Sequence, residues 1–179
     1  MHKDVKRYAT GSKVLHWVIA FLVITMLSCS FFLDDLPDTL KANAYMIHKS
    51  VGLTLLVLML IRWFWIIKHG KPALPATVSR WEGLFAHSVQ YSLYGLMIAM
   101  PLCGWVMSVA SNHTPVYFGL FQLPIPGIKA DEALAHGMNL THKTIAWSLI
   151  ALIFLHVAGA LKHHFIDKDT LLRRMLTDG

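Results

Sequence analysis

The sequence predicts an all-α fold, an integral membrane four-helix bundle forming one domain over residues 1–179, with both termini cytoplasmic. Three observations carry this expectation. Hydrophobic residues make up 55% of the chain and charged residues only 15%, against about 25% charged in ordinary soluble domains. With a mean hydropathy of +0.51, a soluble or disordered chain is excluded. Four apolar stretches reach the roughly 17–25 residues a spanning helix needs. Lys and Arg are also unevenly divided among the flanks of those stretches, twelve on one side and four on the other.

The first span, residues 14–33, contains no charge. It is longer than the roughly 7–15 apolar residues of a signal peptide and lacks an A-x-A-like site, so it reads as a retained helix. The second, residues 46–67, carries Lys49 near its start and Arg62 towards its end. The third, residues 83–110, lies in a longer stretch without Asp, Glu, Lys or Arg and should be kinked at Pro101. A polar turn at 111–115 ends it, and residues 113–139 form the longest connection, with a short interfacial helix expected around 131–138. The Pro-bearing segments 71–76 and 122–127 read as turns, and the fourth span covers 142–165. Helices are the natural form because a lipid-exposed backbone must satisfy its own hydrogen bonds.

Lys3, Lys6, Arg7, Lys13, Arg62, Lys68, Lys71, Arg80, Lys162, Lys168, Arg173 and Arg174 fall on one side. Lys41, Lys49, Lys129 and Lys143 fall on the other, beside Asp34, Asp35, Asp38, Asp131 and Glu132. The positive side is expected to be cytoplasmic. This asymmetry accounts for the net charge of +6 without a nucleic-acid partner. Cys29 and Cys103 form neither a redox pair nor a covalent haem-attachment motif and read as small packing residues.

Eleven His stand beside ten Asp plus Glu, and ionisable groups inside a membrane are costly enough to suggest function. His2, His69, His113 and His136 lie in flanks or loops and read as solvated. His142 and His156 are fourteen residues apart on one expected helix, hence about 21 Å apart along the axis and within roughly 40° of one face. One seam thus presents two imidazoles at two depths. The topology supplies a partner at each depth, His48 for His142 and His16 for His156. Facing imidazoles in a helical bundle are what six-coordinate haem iron needs. The fourth residue after each is small, Ala20, Gly52, Ala146 and Ala160, leaving room for a porphyrin. After His87 it is the bulky Tyr91, which argues against an axial role there. A His-based metal transporter is the competing use, but cation transport generally needs carboxylates, and none lies inside the expected spans.

His16-Trp17, the string Ile47-His48-Lys49-Ser50-Val51-Gly52 and the C-terminal run from Ala160 to Met175 (ALKHHFIDKDTLLRRM) resemble the bacterial cytochrome b561 family over essentially the whole chain. That resemblance implies a two-haem b protein of the bacterial inner membrane, set in lipid, passing electrons between a periplasmic donor or acceptor and the quinone pool. The family includes a superoxide oxidase that reduces ubiquinone, so the expected function is superoxide:ubiquinone oxidoreductase. A cytochrome b subunit serving a partner dehydrogenase or hydrogenase is the alternative. The ligands carried over are His16, His48, His142 and His156. One position departs from the pattern: family members often have a His four residues before the Tyr matching Tyr94, and here that residue is Gln90. Lys49 and Lys143, each directly after a ligand, are candidates for propionate or anion contacts, and Arg62 for an inner propionate. His87, His163 and His164 are candidates for the quinone site.

Overall fold

The computed structural model describes residues 8–70, 72–74 and 78–176. Four long helices dominate: α1 Thr10–Ser30, α2 Asp38–His69, α3 Arg80–Ala110 and α4 Glu132–Phe165. Between α3 and α4 lies a small antiparallel hairpin, β1 Val116–Tyr117 and β2 Phe121–Gln122, and a short α5, Arg173–Leu176, ends the described chain. All four long helices are apolar and long enough to cross a membrane. Large hydrophobic side chains such as Phe21, Phe64, Trp147 and Phe154 point outward, as a lipid-facing surface requires.

Several boundaries differ from the sequence expectation, and local chemistry accounts for them. Residues 31–33 belong to the turn after α1, not to the first span. Helix α2 begins at Asp38, directly after Pro37, well before residue 46. Helix α3 starts at Arg80 because Ser79 and Glu82 form a reciprocal capping box. The separate interfacial helix expected at 131–138 is absent: the Asp131 side chain accepts from the Leu134 N–H at 3.0 Å, and from that cap α4 runs unbroken to Phe165. The segment read as a turn from 122 begins instead as a strand residue, Gln122, whose partner is Val116. Gly119, at φ +78°, supplies the left-handed backbone that this hairpin turn needs. His2, Lys3, Lys6, Arg7 and Lys71, with part of the expected 71–76 turn, lie outside the described residues.

Helix α3 packs extensively on α4, and α2 packs on both α1 and α3. Ile19 and Val23 of α1 meet Leu55 and Met59 of α2 in a narrow core, with Tyr94, Met97 and Ile153 around it. Neither α1 nor α2 makes more than marginal close backbone approach to α4. The two seams facing α4 are therefore held apart. Both ends of the described chain lie at one end of the bundle: Trp17 Nε1–H donates to the Met175 carbonyl, and Arg174 to the Ala73 carbonyl in the α2–α3 connection. This is the terminal end of the bundle, and the opposite one is the hairpin end.

Candidate functional site

At the hairpin end, His48 of α2 and His142 of α4 face each other with ring centroids 6.4 Å apart. The His142 Nδ1–H donates to the Met100 carbonyl at 3.1 Å, which fixes the tautomer and leaves Nε2 as the free nitrogen. Gly104 makes this approach possible, since a Cβ there would lie 3.1 Å from His142 Cε1. The pair borders a cavity of about 1340 Å³, whose lining includes Gly52 and Ala146. That exceeds the roughly 300–1,000 Å³ of ordinary small-molecule sites.

A latch made by α2 and α3 holds the hairpin over this cavity. Ser50, 1% exposed, accepts from the Phe118 N–H at 2.8 Å and donates to the Met46 carbonyl. Thr54 meets the Tyr117 hydroxyl at 3.0 Å, and Trp105 Nε1–H donates to the Leu123 carbonyl at 2.8 Å. Ser108 donates to the His113 carbonyl. None of these residues was singled out from sequence for this role. The available signal was a pair of hydroxyls one turn apart, Ser50 and Thr54, inside a predominantly apolar span. Lys49 also belongs to the latch, its Nζ donating to the His113 carbonyl at 3.1 Å. Lys143 is exposed and borders the cavity, as do His113 and His136, both exposed.

At the terminal end, His16 of α1 and His156 of α4 face each other with centroids 6.3 Å apart, and Trp17 sets its edge against His16. Arg62 is 7% exposed. Its Nε–H donates to the Tyr94 hydroxyl at 2.8 Å and its Nη1 to the Ser12 carbonyl at 2.6 Å, joining α2 to α3 and α1. Tyr94, matched above only to a Tyr of the family pattern, is the partner of a buried cation. Tyr8, just before α1, lies close to Arg62, Tyr94 and Arg174, and burial pushes its phenol pKa up against the pull of the two arginines. The three His expected at a quinone site have different surroundings. His87 stacks on Tyr91, His163 contacts Asp167 and Asp169, and the buried His164 Nδ1 has no hydrogen-bond partner among the described residues.

The two imidazole pairs can each hold one ion. With a metal–imidazole bond of about 2 Å and roughly 1 Å from nitrogen to ring centre, two trans ligands have centroids roughly 6 Å apart. Both observed separations match this spacing. Each pair also bridges a seam where the backbones stand apart, leaving width for a planar macrocycle. The nitrogen donors, which no carboxylate joins among the described residues, suit haem iron better than a hard cation.

Comparison with known proteins points the same way. A family model described as prokaryotic cytochrome b561 matches residues 7–178. Cytochrome b561 homolog 2 of Escherichia coli K12 is 33% identical over 177 residues, covering 96% of this chain and 92% of that protein. The probable superoxide oxidase CybB of Yersinia pestis is 29% identical over 171 residues, covering 96% of each chain. Cytochrome b561 homolog 1 of E. coli K12 is 26% identical over 179 residues, covering 96% of this chain and 98% of that protein.

Proposed function

The chain belongs to the prokaryotic cytochrome b561 family and is a multi-pass bacterial membrane protein of electron transfer; from that premise we propose that it holds two non-covalent b-type haems and carries electrons from superoxide to ubiquinone. The observation that carries the haem reading is the pair of trans-spaced imidazole couples, 6.4 Å and 6.3 Å across, at two levels of α4. In this reading His48 and His142 would hold one haem at the hairpin end, and His16 and His156 the other at the terminal end. The superoxide assignment draws on the relative from Y. pestis whose name describes that activity. In this reading, which the basic flanks support, the terminal end faces the cytoplasm and the hairpin end the periplasm.

Bound haem would supply reversible one-electron chemistry at each level. The chain's own residues supply position and polarity. The Met100 carbonyl orients His142, and Gly104, Gly52 and Ala146 keep the hairpin-end cavity clear. Lys143, exposed at the rim, offers a local positive charge to an anionic donor. Lys49 does this less directly, because its ammonium also holds the His113 carbonyl. Asp34 lines the same cavity, so the attraction is local and not a property of the whole face. At the other end, buried Arg62 lies near His16 and His156 and would offer a cation to a propionate of a haem held there.

Of the three quinone-site candidates, His164 is the best suited to hold a proton or a hydrogen bond for a quinone oxygen, because its buried Nδ1 is otherwise unused. His163 lies within ion-pair distance of two carboxylates, and His87 lies one turn from Gln90, where family members often have a His.

The test is a reduced-minus-oxidised spectrum of the purified protein with haem quantitation, followed by mixing with superoxide in the presence of a short-chain ubiquinone. Two b-type haems per chain, reduced by superoxide and reoxidised by quinone, is the expected result. One haem per chain would overturn the ligand assignment. Two haems inert to superoxide would instead favour the subunit of a partner dehydrogenase or hydrogenase.

A further inference from the structure

Beyond the haem-ligand seam, the last turn of α4 and the loop after it bring together a second cluster of donor groups. His163 Nδ1 lies 3.0 Å from Asp167 Oδ2 and 2.8 Å from Asp169 Oδ2. All three donor atoms fall within 4.8 Å of one another. Backbone geometry builds the cluster: the Asp167 N–H bonds the Lys162 carbonyl at 3.1 Å and the Asp169 N–H bonds the His163 carbonyl at 3.0 Å, turning both carboxylates back over the helix end. The Asp169 side chain is only 6% exposed, and that of His163 13%.

Two buried atoms of this cluster are unusual. His163 Nδ1 and Asp169 Oδ2 approach within 2.8 Å, yet neither makes a hydrogen bond of ordinary geometry with any described residue. Buried polar atoms are rarely left so, because desolvation without a partner costs about 1–3 kcal/mol. With no hydrogen bond joining them, both atoms keep a lone pair available to a shared ion. The other oxygen of Asp169 accepts from the Leu171 N–H at 2.9 Å, which leaves Oδ2 free to face the cluster.

We propose that His163 Nδ1, Asp167 Oδ2 and Asp169 Oδ2 form a site for a borderline divalent transition ion of the zinc class, at the terminal end of the bundle and separate from the four haem-facing imidazoles. One imidazole with two carboxylates is a mixed nitrogen and oxygen set suited to such ions, and poorer for Mg²⁺ or Ca²⁺, which prefer all-oxygen cages. Asp167, 29% exposed, leaves the outer side open for water to complete the coordination. The competing cation is Lys162, whose Nζ lies 2.8 Å from Asp167 Oδ2. It also holds Glu82 Oε1 at 2.6 Å, so it keeps a carboxylate partner when an ion takes Asp167. His163 stands seven residues beyond His156 on α4, about 10 Å along the axis and within roughly 20° of the same face. An ion there adds positive charge two turns from the terminal-end pair.

The test uses the full-length haem-loaded protein, stripped with chelator and then titrated with Zn²⁺ alone. Bound zinc is read by elemental analysis after dialysis and by X-ray absorption at the zinc edge. One tightly held zinc per chain, with one imidazole and the remaining ligands oxygen, is the expected result. Asp169→Asn and Asp167→Asn should each weaken binding at least about tenfold, as loss of a ligand or its support does elsewhere, while haem content is unchanged. His69→Ala, which removes an exposed His on α2, should leave zinc binding as it was. Wild-type protein that retains no zinc, an absorption spectrum without this mixed ligand set, or equal retention in both Asp variants overturns the proposal. If Asp169→Asn disturbs the C-terminal fold, the more exposed Asp167→Asn and the wild-type absorption spectrum still decide the matter.

Discussion

The hairpin end and the terminal end present the same donor pair in different settings. At the hairpin end a backbone carbonyl orients His142, a glycine makes room for it, and a loop latched by hydroxyls covers a cavity of about 1340 Å³. At the terminal end a buried arginine ties three helices together through Tyr94 and the Ser12 carbonyl, and the chain's last described residues fold across α1 through Trp17. The first setting leaves room and a polar rim for a small soluble partner. The second surrounds its imidazoles with a fixed positive charge and aromatic rings. Two sites with identical ligands can thus differ in polarity and access, the features by which a protein tunes haem potential.

The largest expected effect tests whether the two ends are separate sites. His48→Ala or His142→Ala should remove one half of the bound haem, and His16→Ala or His156→Ala the other half. Pyridine haemochrome assays with difference spectra of the purified variants read this directly. The components lost at the two ends should add up to the wild-type spectrum. If His48→Ala and His16→Ala lost the same component, the pairing by depth would be wrong.

Arg62→Met comes next, because it strikes only the terminal end. Hydrogen bonds to charged groups contribute about 1.5–3 kcal/mol, and this one change removes donors to both Tyr94 and the Ser12 carbonyl. A thermal midpoint lowered by several degrees and a shifted terminal-end haem signal are expected, with the hairpin-end signal unchanged. Arg62→Lys should recover only part of this, since a single ammonium on a flexible stem cannot reproduce the planar fork. An equal change in both haem signals would mean that Arg62 supports the bundle generally and has no special place at one end.

Much of this comparison was legible in the sequence. His142 and His156 could be set on one seam because helical periodicity is regular, and their partners followed from the order of crossings. What surrounds each imidazole was not legible, since it depends on how helices pack. That the Met100 carbonyl meets His142 requires α3 and α4 to lie against each other in one register, and nothing local to either segment specifies it. The partner of Arg62 was equally hidden: an inner propionate could be argued from its depth, whereas Tyr94 is thirty-two residues away on another helix. The hairpin escaped notice because strands of two residues carry no periodic signal.

Gly104→Ala is a smaller and more local change. The added methyl would sit 3.1 Å from His142 Cε1, so the imidazole or the helix must give by a few tenths of an ångström. Overpacking of this kind costs about 1 kcal/mol or somewhat more. The expected result is a shifted and broadened hairpin-end haem spectrum beside an unaltered terminal-end one. Gly95→Ala on the same helix, where an added Cβ meets nothing within 4 Å, is the matched control and should change neither.

The smallest effect concerns access to the hairpin end. Ser50→Ala removes the acceptor for the Phe118 N–H and the donor to the Met46 carbonyl while leaving both imidazoles in place. Interhelical hydrogen bonds in membrane proteins contribute about 0.6 kcal/mol each on average, so global stability should barely move. The loop is different, because Ser50 joins it to α2 through a buried contact that the hydrogen bond between Lys49 and the His113 carbonyl cannot replace alone. Amide exchange at Phe118 should therefore speed up, and a bulky hydrophilic reductant should reach the hairpin-end haem faster than in the wild type. Superoxide, being small, should gain little. If large and small reductants were accelerated alike, the latch would be governing the site itself rather than its entrance, and the contrast between an accessible and an enclosed end would lose its physical basis.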